Sequence, residues 1–280
     1  MRQLSHPSTS DANNFFSVPN FWSIASKKRL IPHRTMILMS AIALASGSIF
    51  GAGLPVLANS PVLLASNYCE GKLRDELLQG KATCTFPSGN RYEGELKNSQ
   101  RQGRGIFTFV DGTRCEGEFR NDLLHGKGVC VFPGGNRYEG EFQKGIRSGQ
   151  GKFLFANGTR CQGIFRANVL NGLGICTYPS GNRYEGNFQN SKKQGKGLLV
   201  LADGTRCEGE FQNDLLNSFA VCSFPSGMRY EGEFRTGRQS GRGVYTLASG
   251  ARLEGTWKNG KFVETKNKLN PIQRLLPIAP

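Results

Sequence analysis

Arg114-Cys115-Glu116-Gly117-Glu118-Phe119 and, after a short polar turn, Gly126-Lys127-Gly128-Val129-Cys130-Val131-Phe132 decide the fold. In the first stretch Cys115, Gly117 and Phe119 fall on one face, and Arg114, Glu116 and Glu118 on the other. That is the period-2 alternation of a strand with one buried side. The second stretch continues the pattern, and the flanking turns, such as Pro87-Ser88-Gly89 or Asp111-Gly112, carry a Gly able to take positive φ. The unit is a strand–turn–strand. If Cys115 faces Cys130 across it, Gly117 faces Gly128 and Phe119 faces Gly126, where no Cβ blocks the ring.

Outward from this unit, the same text recurs. Arg91, Arg114, Arg137, Arg160, Arg183, Arg206, Arg229 and Arg252 are spaced by 23 residues. Each is followed three positions later by Gly, from Gly94 to Gly255, and then by a large apolar residue, from Leu96 to Trp257. A fixed period of this length marks a repeat architecture, stabilised by contacts between neighbouring units. The predicted fold is all-β: an elongated, open, single-layer antiparallel sheet of tandem hairpins. The array is placed at 67–263, as eight full copies and a half, after a linker at 59–66 and before a tail at 264–280. The tail's prolines argue against a strand.

The residues Tyr-Glu-Gly-Glu-Phe, followed by Gly-x-Gly and then an Asp-Gly or Ser-Gly turn, resemble the MORN repeat, over about residues 67–263. The family is similar in forming elongated antiparallel sheets. It is an accessory module in junctophilins, phosphatidylinositol phosphate kinases and a lysine methyltransferase. The resemblance implies membrane-lipid contact, dimerisation or scaffolding, and no catalytic residue in the repeat. Two departures stand out. The usual Trp of the first strand is mostly Phe, and Ser218-Phe219-Ala220 replaces Gly-x-Gly, which predicts a local kink or weak joint.

Cysteine occurs only in alternate copies: Cys69 and Cys84, Cys115 and Cys130, Cys161 and Cys176, Cys207 and Cys222. The copies between place Tyr92/Phe107, Tyr138/Phe153, Tyr184/Leu199 and Tyr230/Tyr245 at the same two positions. Two positions that change together within one chain are in contact, so the unit of descent is a 46-residue doublet. Cross-strand register suits a disulfide. Zinc is the rival, but there is no Cys-x-x-Cys. Successive pairs lie four strands, roughly 19 Å, apart, whereas a tetrahedral site needs four ligands at about 2.3 Å. Each disulfide closes a short loop and contributes about 3 kcal/mol in the chain-entropy model.

An even cysteine count suits an oxidising compartment, and the amino terminus reads as an export signal. Lys27-Lys28-Arg29 and Arg34 precede the uncharged apolar run 36–58, which ends Val56-Leu57-Ala58. Two outcomes fit: cleavage after Ala58, giving a periplasmic or extracellular protein, or retention of 36–58 as a membrane anchor.

The chain's formal net charge is +15. Residues 1–58 hold five bases and one acid, so most of this charge belongs to the body. Acidic partners are favoured. Two surfaces compete for them. The Arg ladder either tracks anions or pairs with Glu on its own face, such as Glu93, Glu116 and Glu139. The hairpin turns alternate apolar pairs (Leu77-Leu78, Leu123-Leu124, Val169-Leu170, Leu215-Leu216) with bases (Arg101, Arg147, Lys192, Lys193, Arg238). If they project from one edge, they suit an anionic membrane or acidic glycan. If instead the Leu pairs fold back to cap the hairpins or pack on neighbours, Lys and Arg are merely solvated.

No phosphate-binding Gly loop, His-based metal motif or Ser nucleophile elbow is present in the sequence. Eight equivalent carboxylate pairs on an open face do not make a glycosidase cleft. The expectation is a non-enzymatic module without cofactor or metal. It mediates protein contacts, self-association or assembly in the cell envelope, the alternative being an anionic phospholipid or acidic polysaccharide held by the basic tips. Nucleic acid comes last, since no aromatic platform interleaves the bases.

Overall fold

The computed structural model describes residues 62–64 and 67–263. The leader, its cleavage after Ala58 and the tail 264–280 lie outside the described residues. The described chain forms one open sheet of 19 antiparallel strands. Each strand pairs with its neighbours in sequence, from Val62–Leu64 on Asn67–Arg74 to Arg252–Lys258 on Lys261–Val263. Part of the segment read as a linker is therefore the first strand. Among the described residues the sole helical element is the turn Pro133–Gly135, and no helix is long and apolar enough to cross a membrane.

Each full copy after the first, which opens on the eight-residue strand Asn67–Arg74, is a seven-residue strand and a nine-residue strand, such as Arg114–Arg120 and Leu123–Val131. They are joined by two residues in the left-handed region, here Asn121 (φ 49°) and Asp122 (φ 69°). Asn and Asp tolerate that conformation by bonding locally, and two-residue turns of this hand match strand twist. The tight turn and unequal strands force a bulge. Cys115 faces Cys130 and Gly117 faces Gly128, but then the register slips and Phe119 faces Leu124. The expected Phe119–Gly126 pairing is not made. Gly126, at φ 67°, faces Phe142 of the following hairpin instead.

The register aligns the glycines in one row across the sheet, from Gly71 through Gly94, Gly105 and Gly117 to Gly255, interrupted only by Ala82 and Ala220. The expected kink at 218–220 does not occur. Ser218 takes φ 67°, Ala220 is buried, and Leu215–Ser223 pairs without a break with the strand that follows.

The core lies on the face that carries Cys, Tyr and Phe. In Tyr copies the ring lies along the glycine row: a Cβ at Gly94 would stand 2.5 Å from the Tyr92 hydroxyl oxygen, and one at Gly105 would collide with the ring. The Tyr92 hydroxyl donates to the Glu95 carbonyl at 2.9 Å. Each Tyr also meets the aromatic of the next hairpin edge-on: Tyr92–Phe119 at 5.2 Å, Tyr138–Phe165 at 5.0 Å, Tyr184–Phe211 at 4.9 Å and Tyr230–Trp257 at 5.2 Å. Such pairs contribute about 0.5–1.5 kcal/mol each beyond area burial. They tie neighbouring units together.

Candidate functional site

All four cysteine pairs are disulfides, with Cα–Cα distances of 4.0–4.1 Å. A disulfide is short and leaves space above the glycines. In Cys copies the second residue of the apolar pair fills it: Leu124 stands 3.0 Å from a Cβ placed at Gly117 and 3.2 Å from one at Gly128. In Tyr copies the ring already fills that space, and the equivalent position is Arg101, Arg147 or Lys193, then Gln239. Cystine with Leu and Tyr with a cation are thus two packings of one slot.

The turns do not project as free tips. Each folds onto the hairpin before it: Asp122 N donates to the Arg101 carbonyl at 3.1 Å, and Ser99 N to the Leu78 carbonyl at 3.0 Å. Side chains reinforce the joint, Arg101 N donating to Asp122 Oδ1 at 2.9 Å and Leu78 N to Ser99 Oγ at 3.1 Å. Three of the five basic candidates are therefore core residues, with relative exposures of 8% for Arg101, 3% for Arg147 and 7% for Lys193. Lys192 is half-buried and Arg238 is exposed. Sequence reasoning placed the bases on a common exposed edge. The 23-residue equivalence of Leu78, Arg101, Leu124 and Arg147 was the signal that they share one buried slot.

The cations sit among rings. The Arg101 guanidinium lies 4.6 Å from the Phe107 centroid and 5.8 Å from Tyr92, with Nε 3.4 Å from Asp122 Oδ1. Lys193 lies 5.3 Å from Tyr178 and 5.5 Å from Tyr184, and its backbone N donates to Asp214 Oδ1 at 2.9 Å. Arg147 lies 5.2 Å from Phe153 and 5.5 Å from Tyr138, but the turn residue beside it is Asn168. Its Nη1 is buried with no hydrogen-bond partner. Burial lowers the proton affinity of all three cations, and the neighbouring carboxylates of Asp122 and Asp214 oppose this for Arg101 and Lys193. Arg147 has no such carboxylate and falls to about 10.

Five of the eight ladder arginines pair with Glu two residues on. Arg91–Glu93 and Arg114–Glu116 are at 3.1 Å, Arg137–Glu139 and Arg183–Glu185 at 2.7 Å, and Arg229 also contacts Glu231. Exposed pairs of this kind stabilise little, but they offset the charge at those five positions and interrupt the row as an anion track.

What remains open is the face opposite the core. An open groove of about 1420 Å³ runs along it between Glu93 and Gly186, floored by glycine backbone. Its walls mix Glu118, Glu139 and Glu141 with Lys127 and Lys152, and with Ile106, Val129, Ile164, Leu173 and Ile175. Among the described residues no three His, Cys, Asp or Glu side chains gather as metal ligands.

The model of the MORN repeat matches residues 69–91, 92–114, 115–137, 138–160, 161–183, 184–206, 207–229 and 230–252, and again 254–263. No curated protein matches the chain. Among solved structures, the chain is similar to the TCP10 domain of Danio rerio CPAP, at 14% identity over 70% of this chain and 94% of that one, with a TM-score of 0.43. It is also similar to the TCP domain of Drosophila melanogaster SAS-4 in complex with a proline-rich motif of Ana2, at 13% identity over 63% of this chain and 90% of that one, with a TM-score of 0.38. Covering most of the chain with consecutive matches in phase with the hairpins, the family model settles the assignment: the chain belongs to the MORN repeat family.

Proposed function

We propose that this chain is a non-catalytic, exported protein-contact module, which holds a protein partner in the cell envelope along the groove opposite its core. The observation that carries the reading is the groove itself. Its walls alternate acids, bases and aliphatic side chains over a backbone floor. The lining holds six Glu against Arg104, Lys127 and Lys152, but Glu93, Glu116, Glu139 and Glu185 are already paired with ladder arginines, so a mixed polar and aliphatic surface remains, of a kind that suits a protein partner. The four disulfides support a periplasmic or extracellular location, and the leader supports the same route.

The lipid or glycan reading rested on cationic tips. The burial of Arg101, Arg147 and Lys193 removes most of its support. Photo-crosslinking in the native envelope tests the protein reading. A photo-reactive phenylalanine replaces Ile106 or Val129 in the groove, with Val110 at the outer turn as control. One discrete protein adduct from the groove positions and none from Val110 supports it. Adducts to lipid alone, or none at either groove position, refute it.

A further inference from the structure

The copies are internal controls for one another, and the strands Ile146–Leu154, Arg160–Arg166, Val169–Thr177 and Arg183–Gln189 depart from them on the outward face. Inward, copy 161–183 keeps Cys161, Gly163, Phe165, Leu170, Gly174 and Cys176 in the places of its class. Outward, two positions that face each other have both changed. Gln162 stands where every other copy has Glu, from Glu70 to Glu254, and Lys152 stands where every other copy has an uncharged residue, from Thr83 to Val244. One acid is lost and one base gained at a single cross-strand pair. Arg160 is thereby the one ladder arginine with no Glu two residues on. Among the described residues neither Arg160 nor Lys152 forms an ion pair.

The neighbouring outward row has lost its charges over the same strands. Elsewhere it sets base against acid: Arg104 faces Glu118, Lys127 faces Glu141 and Lys196 faces Glu210. Here Gln150 faces Ile164, and Leu173 faces Asn187. Leu173 is 63% exposed, and Ile164 lies against Gly172, where an added Cβ would stand 3.4 Å from it. Together with Ile175, which faces Gln162, they make an apolar patch at the end of the groove. Such a patch, bordered by two cations without counter-charge, calls for an occupant with aliphatic side chains and a carboxylate beside them. The carboxylate has to be a single one. Glu139, Glu141 and Glu185 flank the patch, exposed on the same face, and repel an extended anionic surface.

Spacing sets the order of the groups. Outward side chains recur every ~6.8 Å along a strand, and alternate side chains of an extended peptide recur at the same interval. Arg160, Gln162 and Ile164 are consecutive outward positions of one strand, with Ile175 on one side of Gln162 and Lys152 on the other. A segment lying along this strand therefore sets one side chain over Arg160, the next outward-facing pair over Gln162 with Ile175, and the next over Ile164 with Leu173.

We propose that this patch anchors an extended segment of the protein partner that carries Asp or Glu with aliphatic side chains two and four residues away. Lys152 and Arg160 hold the carboxylate, and Ile175, Ile164 and Leu173 hold the aliphatic side chains. The proposal rests on the protein-contact reading and names the segment held at the end of the groove.

The control variant is Gln162→Glu with Ile164→Glu and Leu173→Lys. It gives the copy the outward residues Glu116, Glu118 and Lys127 of copy 115–137, which the fold already accepts. A phage-displayed library of random dodecapeptides is selected on the oxidised full chain and, in parallel, on this triple variant. The expected result is peptides enriched on the native chain alone, with an acid two residues from one aliphatic and four from another. A synthetic peptide of that pattern should bind the native chain about tenfold more tightly than the triple variant, and about tenfold more tightly than Lys152→Val with Arg160→Gln, as loss of a charge-assisted contact dictates. No enrichment over the triple variant overturns the proposal. So do selected peptides that lack an acid, or an affinity indifferent to Lys152→Val with Arg160→Gln. A concentration-dependent dimer abolished by the triple variant assigns the patch to a second copy, and pelleting with phosphatidylglycerol vesicles abolished by it assigns the patch to lipid; either result overturns the proposal too. Failure of the selection beside discrete adducts from Ile106 or Val129 leaves the protein-contact reading standing, whereas selected peptides without such adducts refute that reading and keep the specificity of the patch.

Discussion

Asn168→Asp should stabilise the array. Arg147 is the buried cation whose neighbouring turn offers an amide where Arg101 and Lys193 meet Asp122 and Asp214. The geometry for the exchange already exists: Asn168 Oδ1 stands 2.9 Å from Arg147 N and 3.4 Å from its Nε, the same distances Asp122 keeps to Arg101. The backbone imposes no new strain, since Asn168 at φ 73° matches Asp122 at 69° and Asp214 at 72°. A unit charge at about 4 Å would gain ~4 kcal/mol at an effective dielectric of 20. The Asp122 side chain is 45% exposed, so solvent screens the equivalent pair. A net gain of about 1–2 kcal/mol remains, at the low end for a hydrogen bond to a charged group because of that screening. For an array of this size that is a rise of roughly 2–8 °C in thermal midpoint. The assay is a melt of the oxidised protein, with Asp122→Asn as the mirror variant falling by a similar amount. If Asn168→Asp is neutral or destabilising while Asp122→Asn has no effect, carboxylates do not compensate the buried cations and the reasoning fails.

Three further outcomes follow from the shared slot. Cys115→Tyr with Cys130→Phe should destabilise by more than the ~3 kcal/mol of the lost disulfide, because Leu124 occupies the ring's place, and adding Leu124→Arg should restore part of the loss in a urea titration. Gly105→Ala should cost about 1–3 kcal/mol by overpacking against Tyr92, whereas Gly128→Ala should cost less, as Ala82 and Ala220 already stand at the equivalent place in Cys copies; chemical denaturation of both variants checks the order. Burial pushes Tyr92 and Tyr230 up to about 12 and raises Tyr138 and Tyr184 as well. A raised folded-state value gives stability that is complete below pH 10 and lost as pH climbs toward 12; Arg101, Arg147 and Lys193, all lowered by burial, act in the opposite sense but are three groups against six, since burial raises Tyr178 and Tyr245 too. Phenolate absorbance and unfolding should therefore rise together between pH 10 and 12, and early titration of the four Tyr in a folded chain would contradict this.

The hairpin array was legible because a repeat prints its own alignment. Period, strand alternation and the Cys–Tyr exchange each followed from residues 69–252. The disulfide partners followed from two positions changing together. The slip at Gly117 was not legible, because it depends on the turn closing at Asn121-Asp122 while the two strands differ in length. Without the slip, Leu124 and Arg147 read as turn residues projecting into solvent. With it they move inward by one pairing and become core. The groove was equally hidden, since its floor is backbone and its walls are side chains that look like a solvated face in sequence.

The core alternates disulfide packing with Tyr–cation packing, and only an oxidising compartment sustains the first half of that alternation. Alkylation of the protein as isolated from its own cells, without reductant and under denaturant, tests this directly. All eight cysteines should stay unmodified until a reductant is added, and limited reduction should release them in the pairs 69/84, 115/130, 161/176 and 207/222. Alkylated pairs in the natively folded, unreduced chain would contradict both the packing and the export it implies.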